Sequence, residues 1–153
     1  MSLDYHFEIA TSLSPRQMLD RVSSILGCTP NVTSDSLSEV IHIQCSYFDL
    51  SLHSIPPKTQ RSLASLYQIE APTIRISLYT KDFEPQNADD DIAKLVGALL
   101  TQTDGDAVLS FEGITYLIRK SGNLFLNKAA GFWTSKRLKN VSPPFELTEN
   151  LPS

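Results

Sequence analysis

Three histidines, two cysteines and a run of acids hold most of the reactive side chains in this chain. His6, His42 and His53 each fall in a stretch of strand-like alternation, so neighbouring strands would bring three imidazoles toward one metal ion. No His-x-His or His-x3-His spacing supports that reading, and solvated or hydrogen-bonded strand histidines are the simpler one. Cys45 lies near His42 and His53, which allows a thiol nucleophile with an imidazole base. It also shares a face with Ile41 and Ile43, where a thiol behaves as a small core side chain. Cys28 and Cys45 have neither a metal nor a redox spacing. With no basic and apolar leader at the N-terminus, reduced thiols and a cytoplasmic setting are expected. Glu84, Asp89, Asp90 and Asp91 could take calcium or magnesium. Three aspartates in the first turn of a helix are already accounted for by its dipole. The chain has no Gly-Lys-Ser/Thr phosphate loop, no Gly-rich dinucleotide fingerprint and no Gly-x-Ser-x-Gly elbow. The residues therefore point to no catalytic group, no metal and no cofactor.

Charge is distributed unevenly. The 153 residues carry a formal net charge of −4, which excludes a nucleic-acid binder working through bulk positive charge. Residues 82–112 hold the acids Asp82, Glu84, Asp89, Asp90, Asp91, Asp104, Asp106 and Glu112 against Lys94. Residues 113–139 hold Arg119, Lys120, Lys128, Lys136, Arg137 and Lys139 with no acid. The two blocks either face each other and cancel, or form patches that steer a partner of opposite sign.

These residues need a scaffold, and hydrophobic periodicity supplies one. Leu3, Tyr5, Phe7 and Ile9 alternate with Asp4, His6 and Glu8, a half-buried strand. Ser14-Pro15-Arg16-Gln17 reads as a capping box with proline at the first helical position. Met18, Leu19, Val22, Ile25 and Leu26 form the buried stripe of that helix, and Gly27 closes it. Residues 28–38 read as loop. Strands follow at 39–45 and 48–53, stopped by Pro56-Pro57. Residues 58–62 are polar, and 63–70 are open between a helical turn and a strand. A strand at 73–80 precedes a loop and a second helix with Ile92, Leu95, Val96, Leu99 and Leu100 on one face. A meander at 107–112, 114–120 and 124–127 closes the pattern.

The expected order is β-α-β-β-β-α-β-β-β. It implies an α+β fold with one mostly antiparallel sheet of about seven strands. Both amphipathic helices pack on one face and leave the other solvated. Residues 1–153 form one domain, with 128–153 largely irregular. No apolar run is long enough for a membrane helix.

Three stretches together resemble a bacterial family. They are Met1-Ser2-Leu3-Asp4-Tyr5 with Ile9-Ala10-Thr11-Ser12-Leu13-Ser14-Pro15; Ala71-Pro72-Thr73-Ile74-Arg75-Ile76-Ser77; and Gly105-Asp106-Ala107-Val108-Leu109-Ser110-Phe111. The last continues through Leu117-Ile118-Arg119-Lys120, Leu124-Phe125-Leu126-Asn127 and Phe132-Trp133. In this order they resemble the Sit immunity proteins of the third type, which give immunity to swarm-inhibition toxins. The resemblance implies a non-enzymatic protein that protects a cell by direct binding of a cognate toxin. It transfers no active-site motif. A cationic toxin would be met by acids, so Glu84, Asp89, Asp90 and Asp91 form the candidate partner surface. Trp133, with Phe132, is the candidate aromatic anchor, unless it plugs the end of the core. Two other classes stay open. One is a general interaction domain, self-associating through a sheet edge. The other is a small enzyme or ligand-binding protein with a site drawn from His6, His42, Glu8 and Tyr79.

Overall fold

Tyr5, Phe7 and Ile9 point into the core from the middle of a sheet, as their alternation requires. The computed structural model describes residues 4–28, 31–34, 39–45, 47–80 and 85–152. Leu3, Asp82 and Glu84 lie outside the described residues.

The strands are β1 (Asp4–Ile9), β2 (Asn31–Ser34), β3 (Glu39–Gln44), β4 (Phe48–Ser54), β5 (Ile74–Thr80), β6 (Ala107–Phe111), β7 (Ile114–Lys120), β8 (Asn123–Asn127) and β9 (Glu146–Thr148). The helices are α1 (Pro15–Leu26), α2 (Pro57–Tyr67), α3 (Pro85–Gln102) and α4 (Ser135–Leu138), with a 3-10 turn at Lys128–Ala130. Among the described residues the strands form one nine-stranded sheet in the order β2-β3-β4-β5-β1-β6-β7-β8-β9. Neighbours are antiparallel except β8 and β9, which run parallel. The α+β class and the mostly antiparallel sheet are as expected.

The first helix forms as its residues dictate. Ser14 Oγ accepts from the Gln17 N–H at 3.2 Å, and Gln17 Oε1 accepts from the Ser14 N–H at 2.9 Å. Gly27 ends the helix at φ 67°, a left-handed conformation open to glycine. Met18, Leu19 and Val22 of α1, with Ile92, Leu95, Val96 and Leu99 of α3, cover one face of the sheet. There they meet Phe7, Ile41, Ile43, Leu50, Leu52, Ile76, Leu78 and Leu109.

Several expectations need correcting. Pro57 starts a helix rather than only ending a strand: it occupies the first turn of α2, where its missing N–H costs nothing. Gln60 Nε2 donates to the Ile55 carbonyl at 2.8 Å and holds the entry to that helix. Residues 31–34, read as loop, pair with β3. Residues 128–153 hold three short elements, the 3-10 turn, α4 and β9, joined by irregular chain. The second face of the sheet is not simply solvated. Tyr67, Ile69, Val108 and Ile118 form a smaller apolar cluster there, with Leu63 and Leu151 against it. Hence α2 and the C-terminal segment cover the β6–β7 part of that face, and α1 and α3 cover the other face. Among the described residues, no helix is long and apolar enough to cross a membrane.

Candidate partner surface

The expectation that Asp89, Asp90 and Asp91 open a helix does not hold. Helix α3 starts at Pro85, and its first turn has no acid. The dipole therefore does not explain these carboxylates, and their partners do. Tyr5 donates its hydroxyl proton to Asp89 Oδ1 at 2.6 Å. Arg137 Nε donates to Asp90 Oδ1 at 2.8 Å, and Lys136 Nζ donates to Asp90 Oδ2 at 2.9 Å. Arg137 Nη1 also stands 4.0 Å from Asp89 Oδ2. The hydrogen bonds from Arg137 and then Lys136 hold the Asp90 carboxyl below its usual range. Burial, then the bond to Asp89, pushes the Tyr5 phenol up. Asp91 differs: it accepts no hydrogen bond among the described residues, and desolvation raises its pKa. The acidic and basic blocks thus meet at α3 and α4 and partly cancel.

Aromatic packing continues this joint. Phe132 is buried and stacks on Tyr116 at 4.9 Å between ring centroids. Arg137 lies over the Phe132 ring at 5.2 Å and donates from Nη1 to the Phe132 carbonyl at 2.9 Å. Trp133 meets Phe132 edge-on at 4.8 Å, packs against the main core, and donates Nε1–H to the Tyr116 carbonyl at 2.7 Å. Its ring is partly exposed, so it closes the core and keeps an outward edge. Of the candidate residues, Asp89, Asp90, Asp91 and Trp133 lie along this flank, and Glu84 is outside the described residues.

The polar half of the second face gathers other singled-out residues. Glu8 and Arg75 are directly opposed in register. Arg75 donates from Nε at 2.9 Å and Nη2 at 2.6 Å to Glu8 Oε2, and Glu8 is only 3% exposed. His6 Nδ1 is 3.1 Å from Ser77 Oγ. Burial first, then Arg75, lowers the pKa of both His6 and His53. His42 is exposed on β3, and Tyr79 is 37% exposed on β5. Among the described residues, no group of three His, Cys, Asp or Glu is placed to hold a metal. Cys45 packs against the main core with Ile41 and Ile43, whereas His42 between them is exposed and His53 lies on the other face, so the expected Cys45 pairing with His42 or His53 is not formed.

At one end of the sheet the three resembling stretches converge. The Ala10 N–H donates to the Asp106 carbonyl and the Thr73 N–H to the Ile9 carbonyl, both at 2.9 Å. Thr73 Oγ1 donates to the Thr11 carbonyl at 2.9 Å. Asp106 accepts from the Glu70 and Ser121 N–H groups, each at 2.9 Å. Buried Arg119 donates to the carbonyls of Gly105 and Leu100 and to Thr103 Oγ1. A Cβ at Gly105 would run into the Ala10 carbonyl, so glycine is required there. An open cleft of about 470 Å³ lies beside this joint, lined by Thr11, Arg21, Glu70, Thr73 and Asp104 among others. None of these roles was legible from residue type, although the stretches themselves carry the resemblance.

An α+β domain with one broad sheet, joined at its end by short polar motifs, is the class these features define. The chain belongs to the SitI3-like family, whose model matches residues 3–137. That is a family of immunity type. A search of curated proteins finds no match to the chain.

Proposed function

We propose that this protein is a non-enzymatic immunity protein that neutralises a cognate toxin by holding it in direct contact. The observation that carries this reading is the family match over residues 3–137. The α3–α4 flank, with Asp89, Asp90, Asp91 and Trp133, is the proposed docking surface; Glu84, the fifth candidate, lies outside the described residues. Support comes from the unequal use of its acids. Asp89 and Asp90 are engaged by Tyr5, Lys136 and Arg137, which fixes their positions. Asp91, next to them, keeps its hydrogen-bonding capacity for a partner. An acidic site of this kind favours a cationic toxin and raises its on-rate.

The test pairs growth rescue with direct binding. The protein is co-expressed with the toxin-like product of a neighbouring gene, and affinity is measured by calorimetry over a range of salt. Rescue by the wild type is expected, with binding weakened about tenfold in Asp91→Lys and weaker still at high salt. No rescue by the wild type sinks the immunity reading. Rescue with unchanged binding in Asp91→Lys moves the docking surface elsewhere.

A further inference from the structure

The two cysteines are far apart in sequence, yet their sulfurs lie 3.7 Å from each other. Cys28 follows the glycine that closes α1, and Cys45 follows the last residue of β3. Both thiols pack at the edge of the main core and both are partly exposed. Neither is in a disulfide. A disulfide needs sulfurs about 2.05 Å apart, so the gap to close is about 1.7 Å. That distance is within reach of side-chain rotation. The Cys28 thiol also contacts the Leu26 carbonyl at 3.7 Å, and its contact with Cys45 already directs the two sulfurs together.

We propose that Cys28 and Cys45 are a dithiol couple that closes reversibly into an intramolecular disulfide. The oxidant is a low-molecular-weight disulfide such as oxidised glutathione. One cysteine thiolate attacks it, forms a mixed disulfide and releases one glutathione thiolate. The second cysteine thiolate then attacks the protein sulfur of that mixed disulfide and releases the second glutathione. Two protein thiols lose two electrons and two protons in total, and one oxidised glutathione becomes two reduced ones. The bond fastens the C-terminal end of α1 to the end of β3. It encloses residues 29–44, which include the edge strand β2. The bridge removes conformations from the unfolded chain and so stabilises the fold in oxidising surroundings. This inference is independent of the toxin reading, because neither cysteine belongs to α3 or α4.

Whole purified protein is equilibrated with oxidised and reduced glutathione at graded ratios, then analysed by intact mass, thiol titration and thermal melting. The expected result is loss of about 2 Da and of both titratable thiols, with no retained glutathione. The melting temperature rises by roughly 5–10 °C and returns on reduction. Cys28→Ser and Cys45→Ser each retain one glutathione as a mixed disulfide, and the double serine variant shows no shift. Thiols that stay reduced in excess oxidised glutathione would overturn the proposal. So would wild type carrying glutathione on both cysteines, covalent dimers, or a melting temperature that does not rise on oxidation.

Discussion

Among the described residues, two ion-pair clusters with a buried member are built in different ways. Glu8 and Arg75 face each other across adjacent central strands, so the register of β1 and β5 alone brings them together. Asp90 meets Lys136 and Arg137 only because the C-terminal segment returns to α3. The first pair has an almost wholly buried carboxylate, with side-chain exposures of 27% for Arg75 and 4% for Glu8. In the second, Lys136 is 78% exposed, and solvent screens much of its attraction. Arg137 is itself buried, at 10% side-chain exposure against 25% for Asp90, so chain order and not burial separates the two: Glu8–Arg75 is a condition of the sheet, whereas Asp90–Arg137 acts as a latch on a late segment.

The strongest way to break this contrast is Arg75→Ala. It leaves Glu8 buried without its counter-charge, and unfolding in urea is expected to show a loss of about 3 kcal/mol. Adding Glu8→Ala restores part of that loss, because the orphaned charge goes with it. If Arg75→Ala costs no more than Arg137→Ala, the two clusters are equivalent and the distinction fails.

Arg137→Ala comes next, at about 2 kcal/mol, from lost bonds to Asp90 and the Phe132 carbonyl. Its signature is local. Limited proteolysis is expected to cut near residues 131–141 in the variant while the sheet survives. Cleavage there in Arg75→Ala with none in Arg137→Ala would reverse the assignment.

The smallest effect is in pH. The folded pKa values of His6 and His53 lie below 6.5, so the unfolded chain binds their protons more tightly. Their contribution is complete above pH 6.5 and is lost as pH falls from there through the folded values. The Asp90 pKa lies below 3.8, so its contribution is present above that and is lost as pH falls through the lower folded value. Denaturation midpoints across pH should show two separated losses. His6→Gln with His53→Gln should remove the upper one and leave the lower; persistence of both would contradict the histidine origin.

What was legible in the sequence was local. Ser14, Pro15, Gln17 and Gly27 specify the ends of α1 without help from the rest of the chain. The strand alternation of Tyr5, Phe7 and Ile9 was equally clear. Pro56-Pro57 misled because proline both ends strands and starts helices, and only the following residues decide between the two. Strand β2 was missed because a polar four-residue run gains its partner from β3, not from its own pattern. The candidate surface was legible as a set of acids but not as a geometry. That Asp89 and Asp90 would be engaged by Tyr5, Lys136 and Arg137 depends on contacts across the fold. The same holds for the two sulfurs, whose separation in sequence conceals their contact.

The place of β1 in the sheet order has a consequence in time. β1 precedes the other strands in the chain, yet its neighbours are β5 and β6. During synthesis Tyr5, Phe7 and Ile9 therefore remain without sheet partners until residues 74–80 and 107–111 have followed. At about 5–20 residues per second, that interval is on the order of ten seconds. Throughout that interval the folded pool consists of copies completed earlier, not of the one now being made.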